Sequence, residues 1–519
     1  MSSNTVSDLN QQEPKNGFIP GPWLQRIILL IIFLAGFGIR LYDLQDPPLD
    51  FHPTRQLRSA ILARSIYYQM DASADPVSQE KAIQLGNSLE VYEPPILEGL
   101  VGLTYLLLGQ EVLWVSRILN AVFWLIGGLA LFSLMRRSLG FFSNATALAF
   151  YFFLPFSIIA SRSFQPDPWM VMWILISTLA FKRWVETRKW KWAVLAGIIT
   201  GFTILVKLIA IFPLFGIFAA VLLVEVGIKQ RLRSKQVWVV AGLSALPSLV
   251  FYILNNGQRS AGFFSFWTVS LSQLILKSNF YADWLAMLQG LFTLPMILLA
   301  LFGAVLAPRK LKPVLLGFWA GYFVYGLFLP YQMTTHEYYH LELIPLVALG
   351  IGVVAETVFK AISTQSWVWK AAAALLIVSS SFYTLWVGRS IMYAGSYTNE
   401  PIAWKGVGEA IPENGSVIAL TSEYGNRLMY YGWRGIAGYW PNNSDLKLFS
   451  LAGNKPLDYP SYFREMTAGR DYFLITLFSE FDAQPELKDL LYQNFPVFSE
   501  GDGYLIFDLR HPTNPSWVR

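Results

Sequence analysis

Long apolar stretches separated by short polar segments recur along the chain from Trp23 to Val387. Several reach about 20 residues, the length that an α-helix needs to cross a hydrocarbon core of about 30 Å. The pattern predicts a polytopic α-helical membrane protein with about eleven transmembrane helices. The predicted spans are residues 23–41, 113–135, 145–160, 168–181, 192–206, 208–226, 237–254, 285–306, 314–329, 341–359 and 370–387.

The segments around the first predicted span are polar or short. Residues 1–22 are rich in Ser, Asn and Gln and are expected to form a disordered tail on the cytoplasmic side. Residues 42–95 form a long hydrophilic loop, within which residues 54–68 are expected to form a helix on the membrane surface. Residues 96–108 are apolar but short for a span, so we expect a helix that lies parallel to the membrane or dips into it.

After Val387 the pattern changes to short apolar runs separated by Gly, Pro, Asn and Asp. Such runs indicate β-strands, and they alternate with stretches of helical character. The expected strands are 416–420, 472–476 and 503–507, and the expected helices are 404–411 and 486–492. Residues 388–519 are therefore predicted to form a small α/β domain, separate from the transmembrane domain of residues 23–387.

Composition and charge agree with a membrane protein and predict its orientation. With 54% hydrophobic residues, 14% charged residues and a mean hydropathy of +0.42, the chain has too few polar residues to cover a soluble globule. Basic residues concentrate at 136–137, 182–191, 229–235 and 309–312, all on one side of the predicted membrane. Because cytoplasmic loops carry the basic excess, this side and the N-terminus are predicted to be cytoplasmic. The 42–95 loop and the α/β domain are then extracytoplasmic. The basic loops explain the net charge of +5, and no nucleic-acid motif is present.

The first outer loop contains a dense polar group beside a predicted membrane boundary. Asp50 and His52 follow two prolines, and Pro53 suits the first position of a helix. The Asp50 carboxylate could act as a general base towards an acceptor hydroxyl or amine, or Asp50 or His52 could merely cap the helix. Arg55 and Arg58 lie three residues apart on one helical face, where they could bind a phosphate or contact lipid headgroups.

Four more ionisable residues lie at the predicted outer ends of membrane segments. Glu93 precedes two prolines, which could simply start a helix or place Glu93 as a ligand. Arg162 and Asp167 share a very short turn between two spans; charges there indicate an organised polar site, although Asp167 could also cap the next helix. Lys207 lies between two apolar stretches, where it could bind phosphate or extend towards headgroups.

A late outer turn contains two of the four histidines of the chain, His336 and His340. Their spacing of four residues could place them on one helical face for a metal, but no HExxH motif is present, and a sugar or phosphate contact by Tyr339 or His340 is favoured. Cysteine is absent, which excludes disulfides and thiolate-bound metals. No cofactor is expected, and a divalent metal is not favoured.

Taken in order, these features resemble the GT-C class of integral-membrane glycosyltransferases. The similarity is greatest to the group near glycosyltransferase family 39, which includes protein O-mannosyltransferases and bacterial aminoarabinose transferases. The shared features are an acid in the first outer loop, a Pro-Pro element, an Arg-x-x-x-x-Asp turn, a Lys after a Gly-rich span, a Tyr-Tyr element and an outer C-terminal domain. In this sequence they are Asp50, Glu93-Pro94-Pro95, Arg162 with Asp167, residues 201–207, Tyr338-Tyr339 and residues 388–519.

The resemblance implies that residues 23–387 form a GT-C-like catalytic domain in the cell membrane. It further implies a polyprenyl-phosphate-linked sugar donor, transfer on the outer face and inversion at the anomeric carbon. Asp50 becomes the candidate base near the acceptor. The implied contacts to the donor phosphate or sugar are Arg55, Arg162, Lys207, Tyr339 and His340. Members often carry Asp-Glu in the first loop, whereas Asp50 is followed here by Phe51-His52, so His52 could share or replace its role.

The expected reaction moves a hexose or pentose to a lipid, glycan or protein acceptor. Two other classes of function remain open. A transporter or flippase of lipid-linked glycans would place ionisable residues near the bilayer midplane on broken helices, often within repeated halves, and neither is obvious in this sequence. A non-catalytic glycan-assembly subunit would use the C-terminal domain as its working part.

Overall fold

The computed structural model describes residues 21–226 and 233–517. The predicted N-terminal tail, apart from its last two residues, and most of the basic segment 229–235 lie outside this part of the chain. The described residues form a helical membrane region followed by an α/β region.

The first half of the membrane region begins at residue 22 and ends at residue 225. Its helices are α1 (Pro22–Arg40), α2 (Pro53–Met70), α3 (Pro76–Ser88), α4 (Ile96–Leu108), α5 (Trp114–Met135), α6 (Phe141–Phe153), α7 (Pro155–Ala160), α8 (Asp167–Thr187), α9 (Trp190–Val206) and α10 (Ile211–Glu225). A 3₁₀ turn at Leu208–Ala210 joins α9 to α10. The helix expected at 54–68 is present as α2, and the short helix expected at 96–108 is present as α4.

The second half contains less regular backbone. Its helices are α11 (Lys235–Ser248), α12 (Gly257–Phe264), α13 (Ser278–Phe292), α14 (Leu294–Leu306), α15 (Lys312–Phe328), α16 (Pro330–Thr335), α17 (Leu343–Ser363) and α18 (Trp367–Ala394). Wider π-helical turns extend α11 and α12 at Leu249–Asn255 and Ser265–Ser270, and 3₁₀ turns occur at Ser272–Leu276 and Glu337–His340.

Every segment predicted as a membrane span is helical in the structure. Within the described residues, six helices are long and apolar enough to cross a membrane, or seven if the bent pair α13 and α14 counts as one span. The remaining predicted spans are helical but shorter or more polar. The structure therefore supports a polytopic helical protein, and it supports the number of eleven spans only in part.

Two predicted spans each consist of two helices with a break between them. The segment 145–160 divides into α6 and α7 at Leu154, because Pro155 has no backbone N–H and starts a new helix. The segment 285–306 divides into α13 and α14, which are bent by 93° at Thr293, a residue with φ of 64°. Both breaks are local backbone effects that apolar periodicity does not reveal.

Glycines allow α10 and α15 to pack backbone against backbone. A Cβ added to Gly216 in α10 would lie 2.1 Å from the carbonyl oxygen of Gly317 in α15. A Cβ added to Gly317 would lie 2.3 Å from the carbonyl oxygen of Gly216. Small residues favour such close approach between membrane helices. Because α10 follows Lys207 after one short turn, this contact helps to hold that residue in place.

The α/β region contains five strands and six α-helices among the described residues. In chain order they are α19 (Glu400–Ala410), β1 (Val417–Leu420), α20 (Asn426–Tyr431), β2 (Gly438–Tyr439), α21 (Asn443–Leu451), α22 (Tyr459–Thr467), β3 (Tyr472–Ile475), α23 (Phe478–Asp482), α24 (Pro485–Asn494), β4 (Val497–Gly501) and β5 (Tyr504–Asp508).

The strands form one mixed sheet in the order β2-β1-β3-β5-β4. β1 is parallel to β2 and β3, and β5 is antiparallel to β3 and β4. Ile418 and Phe473 pack into the core on one face, and Ala419 and Leu474 pack into the core on the other. Because both faces are covered, successive positions in these strands are apolar. The three predicted strands are present, whereas β2 is too short and β4 too exposed to give a sequence signal.

The α/β region packs on α2 of the membrane region through Arg64. The Arg64 Nε atom lies 3.1 and 2.9 Å from the two carboxylate oxygens of Glu111, and Nη1 donates to the carbonyl oxygen of Tyr430 at 2.6 Å. The guanidinium carbon lies 3.8 Å from the ring centroid of Tyr430 and 4.3 Å from that of Trp433. Arg64 is only 5% exposed. Its ion pair with Glu111 lies within the membrane region, and its hydrogen bond to Tyr430 and its stacking on Tyr430 and Trp433 join that region to the α/β region.

Candidate functional site

The loop between α1 and α2 brings Asp50 and His52 to the start of α2. His52 has a left-handed backbone conformation with φ of 46°, and α2 begins at the next residue, Pro53. His52 occupies the N-cap position but forms no capping hydrogen bond, and Asp50 is bound by other side chains. The alternative that these two residues merely cap the helix is therefore wrong.

Asp50 is held between two arginines. The Nη2 atom of Arg117 lies 3.1 Å from one carboxylate oxygen, and the Nη2 atom of Arg162 lies 3.1 Å from the other. The side-chain amide of Gln56 also donates to Asp50, at 3.2 Å. Burial alone would raise the pKa of Asp50, but the two guanidinium groups outweigh burial and lower this pKa below its ordinary value. Asp50 is therefore ionised and immobilised at neutral pH.

The same two arginines hold the loop that precedes Asp50. Arg117 donates to the carbonyl oxygens of Asp43 and Leu44 at 2.8 and 3.3 Å, and Arg162 donates to those of Tyr42 and Asp43. Arg162 is 1% exposed. The expected contact of Arg162 with a donor phosphate is thus replaced by a contact inside the protein, because its guanidinium is buried against the loop.

A cleft beside α2 is lined by three of the other predicted residues, Arg55, Arg58 and Glu93, and lies next to Asp167 and Lys207. Its walls come from α2, from the segment that contains Glu93 and from the adjoining ends of α8 and α9. Among the residues that line it are Arg55, Arg58, Glu93, Pro166, Trp169 and Val206.

Four charged side chains form a chain of ion pairs at this cleft. Lys207 Nζ lies 2.7 Å from both carboxylate oxygens of Asp167 and 3.8 Å from Glu93 Oε1. The other oxygen of Glu93 lies 2.7 Å from Arg55 Nη2. Asp167 is the first residue of α8 and makes no capping contact, so its interpretation as a helix cap was wrong. Lys207 is 3% exposed and paired, so it does not extend towards lipid headgroups as the simpler alternative required.

Glu93 is ionised because of its neighbours. Burial by itself would raise its pKa, but the positive charges of Arg55 and Lys207 outweigh burial and lower the pKa of Glu93 to about 2. The interpretation of Glu93 as a simple helix start accounts for the two prolines that follow it but not for this pairing. Glu93 links Arg55 to Lys207 and so fixes the positions of both cations.

Arg58 differs from the other basic residues of the cleft because it has no carboxylate partner within the described part of the chain. Its guanidinium carbon lies 5.5 Å from the ring centroid of Tyr92, and its Nη2 atom is buried without a hydrogen-bond acceptor. Burial, together with the positive charge of Arg55, lowers the pKa of Arg58. An unpaired guanidinium in a recessed cleft is suited to bind an anion.

His52 forms a separate pair with Glu337, which lies in the 3₁₀ turn before α17. The distance between His52 Nε2 and Glu337 Oε2 is 2.5 Å. The His52 ring stacks on His336 at 5.8 Å between centroids and meets Tyr338 edge-on at 4.7 Å. Tyr338 in turn lies 5.1 Å from Lys207 Nζ. The aromatic ring of Tyr338 therefore joins the imidazole pair to the cationic cleft.

Tyr339 and His340 have different environments, although they are adjacent in sequence. The ring of Tyr339 lies 5.5 Å from Lys207 Nζ, beside the cleft. His340 is fully buried; its Nδ1 is 2.6 Å from the hydroxyl of Tyr322, and its Nε2 is 3.1 Å from the carbonyl oxygen of Met333. Both ring nitrogens are therefore occupied by the protein, and His340 is left out of the proposed donor site.

Sequence reasoning missed Arg117, Glu337 and the role of Tyr338. Arg117 is a charge within an otherwise apolar predicted span, and a charge in such a position is a signal for a buried polar site. Glu337 gave no such signal, because its partner His52 is 285 residues away in sequence. No cluster of three or more His, Asp and Glu that could hold a metal ion occurs in the described part of the chain.

Comparison with known proteins gives matches in both sequence and fold. Residues 92–254 match the family model of the dolichyl-phosphate-mannose-protein mannosyltransferases. No curated protein matches the chain. The segment that matches the family model, residues 92–254, includes the paired residues Glu93, Asp167 and Lys207.

Solved structures match over nearly the whole chain. ArnT from Cupriavidus metallidurans, bound to undecaprenyl phosphate, is 17% identical, with a TM-score of 0.54 over 96% of this chain and 99% of that one. The oligosaccharyltransferase of Archaeoglobus fulgidus, in complex with Zn and sulfate, is 13% identical, with a TM-score of 0.54 over 92% of this chain and 72% of that one. A second structure, of AglB from Archaeoglobus fulgidus with an inhibitory peptide and a dolichol-phosphate, is 13% identical, with a TM-score of 0.52 over 95% and 74%. The chain thus shares the fold of the GT-C class of membrane glycosyltransferases, which confirms the resemblance that its sequence predicted.

Proposed function

We propose that this protein is a membrane glycosyltransferase that moves a sugar from a polyprenyl-phosphate carrier to an acceptor on the extracytoplasmic face. The observation that carries the proposal is the cleft in which the unpaired Arg58 lies beside the Glu93-linked cations Arg55 and Lys207. Such a cleft provides positive charge where a phosphate group would depart. The family match over residues 92–254 and the fold shared with ArnT bound to undecaprenyl phosphate support this choice of donor.

The proposed chemistry is a single displacement at the anomeric carbon, with inversion. An acceptor oxygen or nitrogen forms the new bond to this carbon, and the bond between the carbon and the phosphate oxygen breaks. The electron pair leaves with the polyprenyl phosphate, whose charge the cleft cations stabilise. The proton of the acceptor must pass to a base, and a lipid phosphate is a good leaving group that needs no protonation.

His52 is the better candidate for this base. Both carboxylate oxygens of Asp50 are held by arginines, and its lowered pKa makes it a weak proton acceptor at neutral pH. His52 is next to a carboxylate that can orient its ring, in the manner of a base paired with an orienting acid. We assign to Asp50 the role of fixing the turn that presents His52, two residues later.

Transfer can be tested with the purified full chain in liposomes. A panel of polyprenyl-phosphate sugars with labelled hexose or pentose would be supplied together with an extract of membrane lipids, glycans and proteins. We expect one labelled sugar to appear on an extract component for each polyprenyl phosphate released. No release from any donor would refute the proposal. Movement of intact lipid-linked sugar between leaflets without release would instead favour a flippase, the second candidate from the sequence.

A further inference from the structure

A second cavity lies at the opposite ends of the helices that form the cleft. α8 has Asp167 at its first turn and Arg183 near its last, and the intervening 16 residues correspond to roughly 24 Å at about 1.5 Å per residue. α5 likewise has Arg117 near one end and is followed by Arg136 at the other. The cavity therefore lies towards the other membrane face and is separate from the proposed reaction site.

The polar side of this cavity is strongly basic. It is lined by five basic residues, Arg136, Arg137, Lys182, Arg183 and Lys310, and by one acid, Glu186. Glu186 lies 3.6 Å from Arg137 Nη1 and 3.7 Å from Arg183 Nη1, so both arginines share the same carboxylate. Lys182 Nζ donates to the carbonyl oxygen of Lys310 at 2.7 Å, which is not a charge-neutralising contact. The cavity lining therefore has an excess of positive charge, with Glu225 of α10 as a further acid near Lys182.

The other side of the cavity is apolar and open to the surface of α9. Leu134, Ile176, Leu179, Leu195 and Ile199 contribute to this wall. Leu195 is 40% exposed, and α9 presents Trp192 at the basic rim. With a volume of about 370 Å³, the cavity is within the range of small-molecule sites in proteins.

From this combination we infer that the cavity binds an anionic phospholipid. The phosphate headgroup would lie against Arg137 and Arg183, and an acyl chain would follow the apolar wall between α8 and α9. The rule that cytoplasmic loops are rich in basic residues requires only positive charge. It requires neither a recess nor an apolar wall leading from that recess. Basic pockets between membrane helices on the cytoplasmic side are suited to such headgroups. The bound lipid would hold together the ends of α5, α8 and α9, whose other ends carry the site.

The test is lipid retention by the full chain, measured by native mass spectrometry after exchange into detergent with either phosphatidylglycerol or phosphatidylcholine. We expect the wild-type protein to retain phosphatidylglycerol preferentially. In the double variant Arg137→Gln/Arg183→Gln, the apparent affinity for phosphatidylglycerol should fall roughly 10- to 30-fold, since each basic residue near an anionic lipid contributes about a fivefold factor.

The matched control is Arg309→Gln/Lys312→Gln, which removes the same charge from the same membrane side but does not touch the cavity lining. Arg137→Lys/Arg183→Lys keeps the charge and should restore binding, which separates lipid binding from a folding defect. Equal retention of both lipids by the wild type, or an equal loss in the control, would overturn the inference. Displacement of the lipid by inorganic pyrophosphate alone, without dependence on acyl chains, would also overturn it and indicate a soluble anion.

Discussion

At the residue scale, the proposed site divides its charges between structural and reactive roles. Arg117 and Arg162 neutralise Asp50, and Asp167 neutralises Lys207, so these charges hold the loop and the cleft in shape. Arg58 has no such partner within the described residues. Its guanidinium is therefore the one we expect to be most sensitive to the donor.

The first prediction concerns Arg58→Gln. Because a hydrogen bond to a charged group contributes about 1.5–3 kcal/mol, the KM for a polyprenyl-phosphate donor should rise about 10- to 100-fold. The thermal unfolding midpoint should stay the same, since the Nη2 atom that the substitution removes forms no hydrogen bond within the described residues. Arg58→Lys retains a positive charge and should recover part of the donor affinity. An unchanged KM in Arg58→Gln would remove Arg58 from the donor site.

The second prediction concerns the pH dependence of stability at His336. Burial and the adjacent His52 lower the pKa of His336 to about 4, compared with an ordinary value of 6.5. Between these two pH values the unfolded state binds a proton that the folded state does not, so stability falls as the pH falls from about 6.5 to about 4.

Replacing His336 with glutamine removes this group from the titration. As the pH is lowered from 6.5 to 4, the thermal midpoint of His336→Gln should therefore decrease less than that of the wild type. The midpoints of the two proteins at pH 7.5 serve as the reference. Midpoints that decrease in parallel over this range would show that His336 titrates normally in the folded protein.

Sequence alone indicated most of the residues of the proposed site but not their pairing. Asp50, Arg55, Glu93, Asp167 and Lys207 all proved to be in ion pairs. Their common position on one side of the predicted membrane was readable from charge and hydropathy. Which acid meets which base depends on contacts between segments tens to hundreds of residues apart, and no local pattern encodes these contacts.

At the element scale, the membrane helices were predictable by length, whereas their breaks were not. The residues on both sides of Thr293 are mainly apolar and gave no signal for the break, where α13 and α14 are bent by 93°. The π-helical turn at Leu249–Asn255 lies close to the cleft, since the side-chain amide of Asn256 donates to the carbonyl oxygen of Val91 at 3.0 Å. Irregular backbone of this kind is tolerated in membrane proteins where other protein groups satisfy it.

The third prediction tests the glycine contact between α10 and α15. Gly317→Ala should destabilise the protein by about 1–3 kcal/mol, because its new methyl group would overlap the backbone of Gly216. Gly242→Ala in α11 is the control, since a Cβ there meets nothing within 4 Å and alanine favours helix. Thermal unfolding in detergent measures both variants. Equal midpoints for the two would contradict the close packing of α10 on α15.

At the scale of the whole molecule, α2 connects the proposed site to the α/β region. Its first two turns carry Arg55 and Arg58, and its fourth turn carries Arg64, which is bound to Glu111 and Tyr430. The carbonyl oxygen of Thr54 also accepts a hydrogen bond from Asn426 at 3.3 Å. The α/β region should therefore act as a support for the helix that presents the cleft cations.

The fourth prediction is that Arg64→Gln loosens the α/β region. The substitution removes a charged hydrogen bond to the Tyr430 carbonyl, of a kind that contributes about 1.5–3 kcal/mol, and the stacking of the guanidinium on Tyr430 and Trp433. Limited proteolysis should therefore cut the connection between α18 and α19 faster than in the wild type. Lys488→Gln, which removes an exposed pair with Asp482, is the control and should change little. If both variants are cut at the wild-type rate, Arg64 does not secure the contact.

The most direct test of the central claim compares sugar transfer by the wild type, His52→Gln and Asp50→Asn in the same reconstituted assay. The account predicts that the wild type releases polyprenyl phosphate as it transfers sugar. It predicts that His52→Gln is slower by a factor of at least about 100, with unchanged donor KM and unchanged thermal midpoint. Asp50→Asn should lose both activity and stability, since two buried guanidinium groups lose their partner. Full activity in His52→Gln, with Asp50→Asn inactive but as stable as the wild type, would contradict the assignment of His52 and favour Asp50 as the base. No transfer by the wild type would contradict the account as a whole.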